Sequence, residues 1–194
     1  MKKHCVVSVA CLALLCLFAW VLPEADWART LISPTTQDEV FMAQALEQAH
    51  LAAQHGNYPF GAVLVKDSWV VARAENTAIS DKTISHHAEI NLIDKACREL
   101  GVQSLEGYTM YSSAEPCAMC SGAIVHFNVS TVVYGASQEY LRSLKPGYLW
   151  IGITDMKPLL ERKKVEVRGP VLREAAEKIL ADYLKAEGAR ANRH

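Results

Sequence analysis

His87-Ala88-Glu89-Ile90-Asn91 and Pro116-Cys117-Ala118-Met119-Cys120 decide how this chain is read. One imidazole and two thiols make three ligands of the kind zinc takes. Three protein ligands leave the fourth position open, which is the arrangement of a catalytic zinc and not of a structural one. Thiolate is the zinc-binding form of cysteine. Glu89 is surplus to that ligand set, and its place just after His87 suits it to move protons to and from a water. Both half-motifs open helix-like runs. Pro116 suits a helix start, where its missing N–H costs nothing, and the positive helix end favours the thiolates of Cys117 and Cys120. His87 and Glu89 open a stretch through Ile90, Leu92, Ile93 and Ala96 to Leu100, with Gly101 as its stop signal. Two helix starts facing one another would build the site.

A lone Cys-x-x-Cys also occurs in redox centres and as half of a structural zinc finger. A structural site needs a fourth protein ligand, and the chain has no second Cys-x-x-Cys. Cys97 falls inside the predicted helix and reads as a small buried hydrophobe. His86 is the alternative imidazole; the His-Ala-Glu frame selects His87.

A His-x-Glu followed by Pro-Cys-x-x-Cys resembles the signature of the zinc-dependent cytidine/deoxycytidylate deaminase superfamily. The wording is most similar to the nucleobase and nucleoside deaminases that include guanine deaminases. The resemblance runs over about Thr36 to Leu184. Pro59-Phe60-Gly61-Ala62-Val63 resembles the family's first-strand entry, Ser113-Ala114-Glu115-Pro116-Cys117 its run into the second motif, and Val132-Val133-Tyr134-Gly135 its fourth strand. The spacing from Asp81 to His87 is longer than in the guanine deaminases, and the residues around Leu144 to Ile153 match no substrate signature. The resemblance implies one bound zinc on His87, Cys117 and Cys120, with Glu89 as the catalytic proton carrier. It implies substrate contacts from Asn76, from Phe60 by stacking, and from the backbone at Ala88. It also implies a homodimer.

The coarse structure predicted from the residues suits that family. Thr36 with Glu39 reads as a capping box, followed by Val40, Phe41, Ala45, Leu46, Ala49 and Ala53 at helical spacing. Gly56-Asn57 ends that helix. Ala62 to Val65 and Trp69 to Ala72 read as strands joined by the polar Lys66-Asp67-Ser68 turn. Tyr108 to Ser112, Thr131 to Tyr134 and Val165 to Val167 are further strands, and Gly169-Pro170 opens a last amphipathic helix through Ile179, Leu180, Tyr183 and Leu184. The expected fold class is α/β: a three-layer α/β/α cytidine-deaminase-like sandwich on a mixed sheet of about five strands. The long connection between Val132 and Val165, with Gln138 to Leu144 as a helix within it, allows the last two strands to be parallel, a pairing that needs a crossover.

The first 30 residues differ in kind from the rest. Lys2 and Lys3 precede an apolar run from Cys5 to Leu22, which suits a signal peptide or an N-terminal membrane anchor. The expected organisation is therefore a leader over 1–30 and a zinc-dependent deaminase domain over 31–194, with export or membrane anchoring as the expected localisation. A start called too early on a cytoplasmic enzyme is the alternative. Three of the six cysteines lie in the leader, so the remaining three make no disulfide framework. The formal net charge of −1 gives no overall basic footprint for nucleic acid. The resemblance implies a small nucleobase or nucleoside as the partner and hydrolytic deamination of guanine or guanosine as the reaction, with cytosine second. Adenosine-to-inosine editing of tRNA is the alternative within the enzyme class. A non-catalytic zinc-stabilised binding module is the alternative outside it, and the intact Glu89 argues against it.

Overall fold

The computed structural model describes residues 36–144 and 156–191. Helix α1 (Gln37–Gln54) opens on the capping box: the Thr36 hydroxyl accepts from the Glu39 N–H, and the Glu39 carboxylate accepts from the Thr36 N–H. There follow strands β1 (Gly61–Lys66) and β2 (Trp69–Glu75), helix α2 (Ala88–Leu100), strand β3 (Thr109–Ala114), helix α3 (Ala118–His126) and strand β4 (Thr131–Ala136). Helices α4 (Gln138–Leu144) and α5 (Lys157–Arg162), strand β5 (Glu166–Arg168) and helix α6 (Arg173–Ala191) complete the described chain. Asp67 and Ser68 both have positive φ in the turn between β1 and β2, the conformation that matches the twist of a tight hairpin. Gly101 ends α2 in the left-handed region, where a side chain would be strained.

The sheet order is β2-β1-β3-β4-β5. β1 is antiparallel to both β2 and β3, while β3–β4 and β4–β5 are parallel. The mixed sheet and its parallel last pair agree with the expected fold. Alternate side chains feed two cores. Val63, Tyr111 and Val133 point to the face covered by Phe41, Met42 and Leu46 of α1 and by Ile179 and Leu180 of α6. Leu64, Met110 and Val132 point to the face covered by Leu92 and Ile93 of α2 and Ile124 of α3. Strands buried on both faces read as near-continuous apolar runs, as β1 and β4 do. Gly61 is required by packing, since a Cβ there would collide with the backbone of Ala45 and Ala49 in α1.

Three details differ from the sequence expectation. β2 runs on to Glu75, three residues past Ala72, because its polar residues lie on a half-exposed edge strand that alternation alone ends early. α5 was not expected; its single turn and a half buries only Leu160 and carries no periodic signal. The last helix begins at Arg173, after the Gly169-Pro170 pair rather than on it. Trp150 and the segment around Leu144 to Ile153 lie largely outside the described residues, as does the whole leader.

Topology explains why the motifs meet. β2 and β3 are both antiparallel to β1, so they run in the same direction and end on the same side of the sheet. The connections leaving their C-terminal ends each lead into a helix on the same face. Ligands in α/β sheets gather outside the carboxyl ends of strands for this reason.

Candidate active site

His87 is the N-cap of α2 and Cys117 the N-cap of α3, both with extended backbone. Neither uses its side chain to cap its helix, which leaves the imidazole and the thiol free for other work. The His87 Nδ1 lies 3.7 Å from the Cys117 Sγ and 3.5 Å from the Cys120 Sγ. All three ligand atoms fall within 4.8 Å of one another, and they form the one such His/Cys/acid group among the described residues. One nitrogen and two sulfurs at helix N-termini fit zinc by donor type and by spacing. His86, the rival imidazole, turns away and pairs with Asp81 at 2.8 Å. Cys97 stands apart as a free, half-buried thiol in α2.

The thiols behave as a pair that shares protons. Hydrogen bonding from the Cys120 thiol, then from His87, lowers the Cys117 pKa to about 4 against the opposing effect of burial. Cys120 is pushed well above the usual thiol range by its hydrogen bond to Cys117 and by burial. The protein groups by themselves therefore favour one thiolate, and a cation placed between the ligands replaces the remaining protons.

Glu89 sits in the first turn of α2 and is 7% exposed. Burial, then the Cys117 thiolate, raises its carboxyl above the usual carboxylate range. The Ser112 hydroxyl on β3 donates to Glu89 Oε1 at 3.2 Å and fixes its orientation. A buried carboxyl held beside the ligand cluster is placed to exchange a proton there.

A pocket opens beside the ligands, lined by Phe60, His87, Glu89, Ala114, Glu115, Cys117 and Leu141. Phe60 is thus brought to the site. Ala88 is fully buried in the first turn of α2, whose leading amides have no carbonyl partner within the helix. Asn76 is 1% exposed; its N–H donates to the Phe60 carbonyl and its Oδ1 accepts from the Ala78 N–H. It therefore borders Phe60 without lining the pocket itself.

Sequence reasoning missed Ser112, Leu141 and the partners of Glu115. A polar Ser112 in a buried strand was the available signal. Glu115 accepts from the Gln138 N–H through its carboxylate at 2.9 Å and from the Gln138 side-chain amide through its carbonyl at 2.8 Å. These two bonds tie the cysteine loop to α4, and α4 in turn supplies Leu141 to the pocket wall.

A His/Cys/Cys group able to hold a metal ion, with a buried carboxyl beside it, lies on a mixed sheet of cytidine-deaminase-like topology. The family model for the cytidine and deoxycytidylate deaminase zinc-binding region matches residues 35–136, and the chain belongs to that family. It is 46% identical over 101 residues to the tRNA-specific adenosine deaminase of Bacillus subtilis, a match covering 52% of this chain and 63% of that protein. It is 31% identical over 151 residues to the tRNA-specific adenosine deaminase of Buchnera aphidicola, covering 78% of this chain and 96% of that one. The guanine deaminase of Bacillus subtilis is 38% identical over 111 residues, covering 57% of this chain and 70% of that protein. Among solved structures, one from a study of A-to-I editing by tRNA:A34 deaminases superposes with a TM-score of 0.61 at 31% identity, over 73% of this chain and 99% of that one. The guanine deaminase from Nitrosomonas europaea shares the fold with a TM-score of 0.69 at 22% identity, over 84% and 93% of the two chains.

The comparisons correct the expected localisation. Proteins named for acting on tRNA meet their substrate where tRNA is, which argues against carrying the domain across a membrane for export or anchoring. No helix among the described residues is long and apolar enough to cross a membrane. The run from Cys5 to Leu22, which carried the expectation, lies outside the described residues.

Proposed function

We propose that this protein is a zinc-dependent hydrolytic deaminase whose substrate is adenosine in a tRNA. The reaction rests on one observation: His87, Cys117 and Cys120 converge on a single point while Glu89 lies buried beside them. The substrate class rests on the similarity to tRNA-specific adenosine deaminases, which favours the tRNA alternative over the small-molecule substrate that the resemblance to guanine-type deaminases implied. A net charge near zero limits long-range attraction to nucleic acid, but it does not prevent a local contact with one loop.

His87, Cys117 and Cys120 would hold a zinc ion, which when bound would supply the Lewis acidity that makes a water nucleophilic toward the amino-bearing ring carbon. Glu89 takes a proton from that water and returns protons to the ring nitrogen and the departing amine. Ser112 keeps Oε1 of Glu89 in place during both transfers. Phe60 and Leu141 form apolar walls that hold a flat ring and exclude bulk water. Asn76 orients the base by hydrogen bonding, and the free amides at the α2 start near Ala88 stabilise developing negative charge.

Guanine is the second reading of the substrate, favoured by the 38% identity to a guanine deaminase over 111 residues. Ammonia release from an adenosine-bearing anticodon hairpin, from guanine and from cytosine separates these. Turnover of the hairpin that falls steeply as salt rises is the expected result, because phosphate contacts weaken through counterion release. Turnover of guanine alone, insensitive to salt, would overturn the tRNA assignment and leave the chemistry intact.

A further inference from the structure

The connection from β2 to α2, residues 76–87, begins at the proposed substrate amide of Asn76 and ends at the metal ligand His87. One side chain bridges those ends. Asn91, in the first turns of α2, directs its amide Nδ2 to the Glu75 carbonyl at 2.9 Å and to the Thr77 hydroxyl oxygen at 2.9 Å. The His86 carbonyl lies 3.4 Å from the same nitrogen. The amide therefore holds the Glu75 carbonyl and the Thr77 side chain, on either side of Asn76, and reaches the residue before His87.

The loop closes on itself around this grip. The Thr77 N–H donates to the His86 carbonyl at 3.0 Å, and the Asn91 N–H to the His87 carbonyl at 2.9 Å. The Asp81 N–H donates to the Thr77 carbonyl at 2.9 Å, and the Asp81 carboxylate pairs with His86 at 2.8 Å. At the far end of the loop, buried Asn57 accepts from the N–H groups of Ile79 and Ser80. Ile79 and Ile84 in the loop are exposed, while Asn76 and Ala78 are buried, so hydrogen bonds carry much of its order.

We infer that Asn91 is a positioning residue: through Thr77 and His86 it sets the distance and angle between Asn76 and the zinc ligand His87. This rests on the proposed deamination. A base must present its amino-bearing carbon to the metal while Asn76 holds another of its edges, so the separation of the two sites is part of the reaction geometry. A misplacement near 1 Å costs about 100-fold in rate. Asn91 touches neither substrate nor metal, so its effect passes wholly through the loop.

The test uses the zinc-loaded full chain and three variants. Asn91→Asp keeps shape but replaces the donor with an acceptor facing two carbonyls. Thr77→Val keeps shape and loses the hydroxyl, whereas Thr77→Ser keeps the hydroxyl. Expected are full zinc content in all three, a fall of about 10- to 100-fold in kcat/KM for Asn91→Asp, a smaller fall for Thr77→Val, and near-normal turnover for Thr77→Ser. In parallel, amide hydrogen exchange at Thr77 and Ala78 should quicken in Asn91→Asp and not in Thr77→Ser. An active wild type with equally active Asn91→Asp overturns the positioning role and spares the deaminase assignment. Unchanged exchange in Asn91→Asp overturns it regardless of activity. An inactive wild type with the predicted exchange pattern leaves the clamp standing and overturns the deaminase reading instead.

Discussion

The two halves of the site do the same job by different means. Each places a zinc ligand at the N-cap of a helix on the same sheet face. In the second half, β3 reaches the helix start at Cys117 through only Glu115 and Pro116, so the strand itself aims the thiols. In the first half, β2 reaches His87 through an exposed loop of eleven residues, 76–86, and side-chain hydrogen bonds must do what the strand does opposite. Short connections inherit geometry from the sheet. Long ones need their own bracing, and they gain room for a substrate contact such as Asn76.

The largest effect should come from the residue that both halves surround. Glu89→Gln keeps size and removes the base, so turnover should fall by about 10²–10⁴ while zinc and fold persist. Steady-state ammonia release with elemental analysis checks this, and a loss of activity only in step with a loss of zinc would make Glu89 structural. Next come the ligands. Cys117→Ala should lose tight zinc, because two ligands remain where the site needs three; full occupancy on elemental analysis would break the symmetry drawn between the halves.

Those two outcomes concern residues whose proposed roles come from the sequence. The grouping of His87, Cys117 and Cys120, the place of Glu89 at a helix start, the mixed sheet and the parallel β4–β5 pair are legible there because each has a local signature: fixed spacing, a helix start, or a connection long enough to cross over. The bracing has none. Asn91 touches Glu75 across 16 positions, and Gln138 reaches Glu115 across 23, with no periodicity linking them. Leu141 falls within a correctly expected helix, but its place in the pocket wall depends on Gln138 registering that helix against the cysteine loop. The substrate class is legible least of all, for a related reason. Net charge sums over the whole surface, whereas recognition of one loop depends on a few local groups.

The bracing of the second half can be weakened directly. Gln138→Ala removes the amide donor to the Glu115 carbonyl but leaves the backbone bond to the Glu115 carboxylate. It also removes a buried Oε1 that has no protein partner. Stability should change by about 1 kcal/mol or less by denaturant titration, and kcat/KM by about 2- to 10-fold. An effect as large as that of Asn91→Asp would show that the short half also depends on side-chain bracing.

A control should touch neither half. On the opposite face, Asp38 accepts from Arg168 at 3.0 and 3.1 Å and from the Tyr111 hydroxyl at 2.6 Å. Burial raises the Asp38 pKa, but the bonds from Arg168 and Tyr111 outweigh it and leave it below the ordinary value. A carboxyl depressed in the folded state stabilises at pH above its unfolded value near 4, and that contribution is lost as pH falls through the folded value. Asp38→Asn should therefore be less stable than wild type at pH 7 by thermal unfolding, with the difference shrinking in acid. Its kcat should not change; a matching fall in kcat would couple this network to the site.

The most direct test of the deaminase assignment is ammonia release by the zinc-loaded chain from an adenosine-bearing tRNA anticodon hairpin, with Glu89→Gln alongside at equal zinc content. Turnover by the wild type and almost none by the variant is the predicted result. No ammonia from the hairpin or from any free amino-bearing base, or equal turnover by Glu89→Gln, would contradict it.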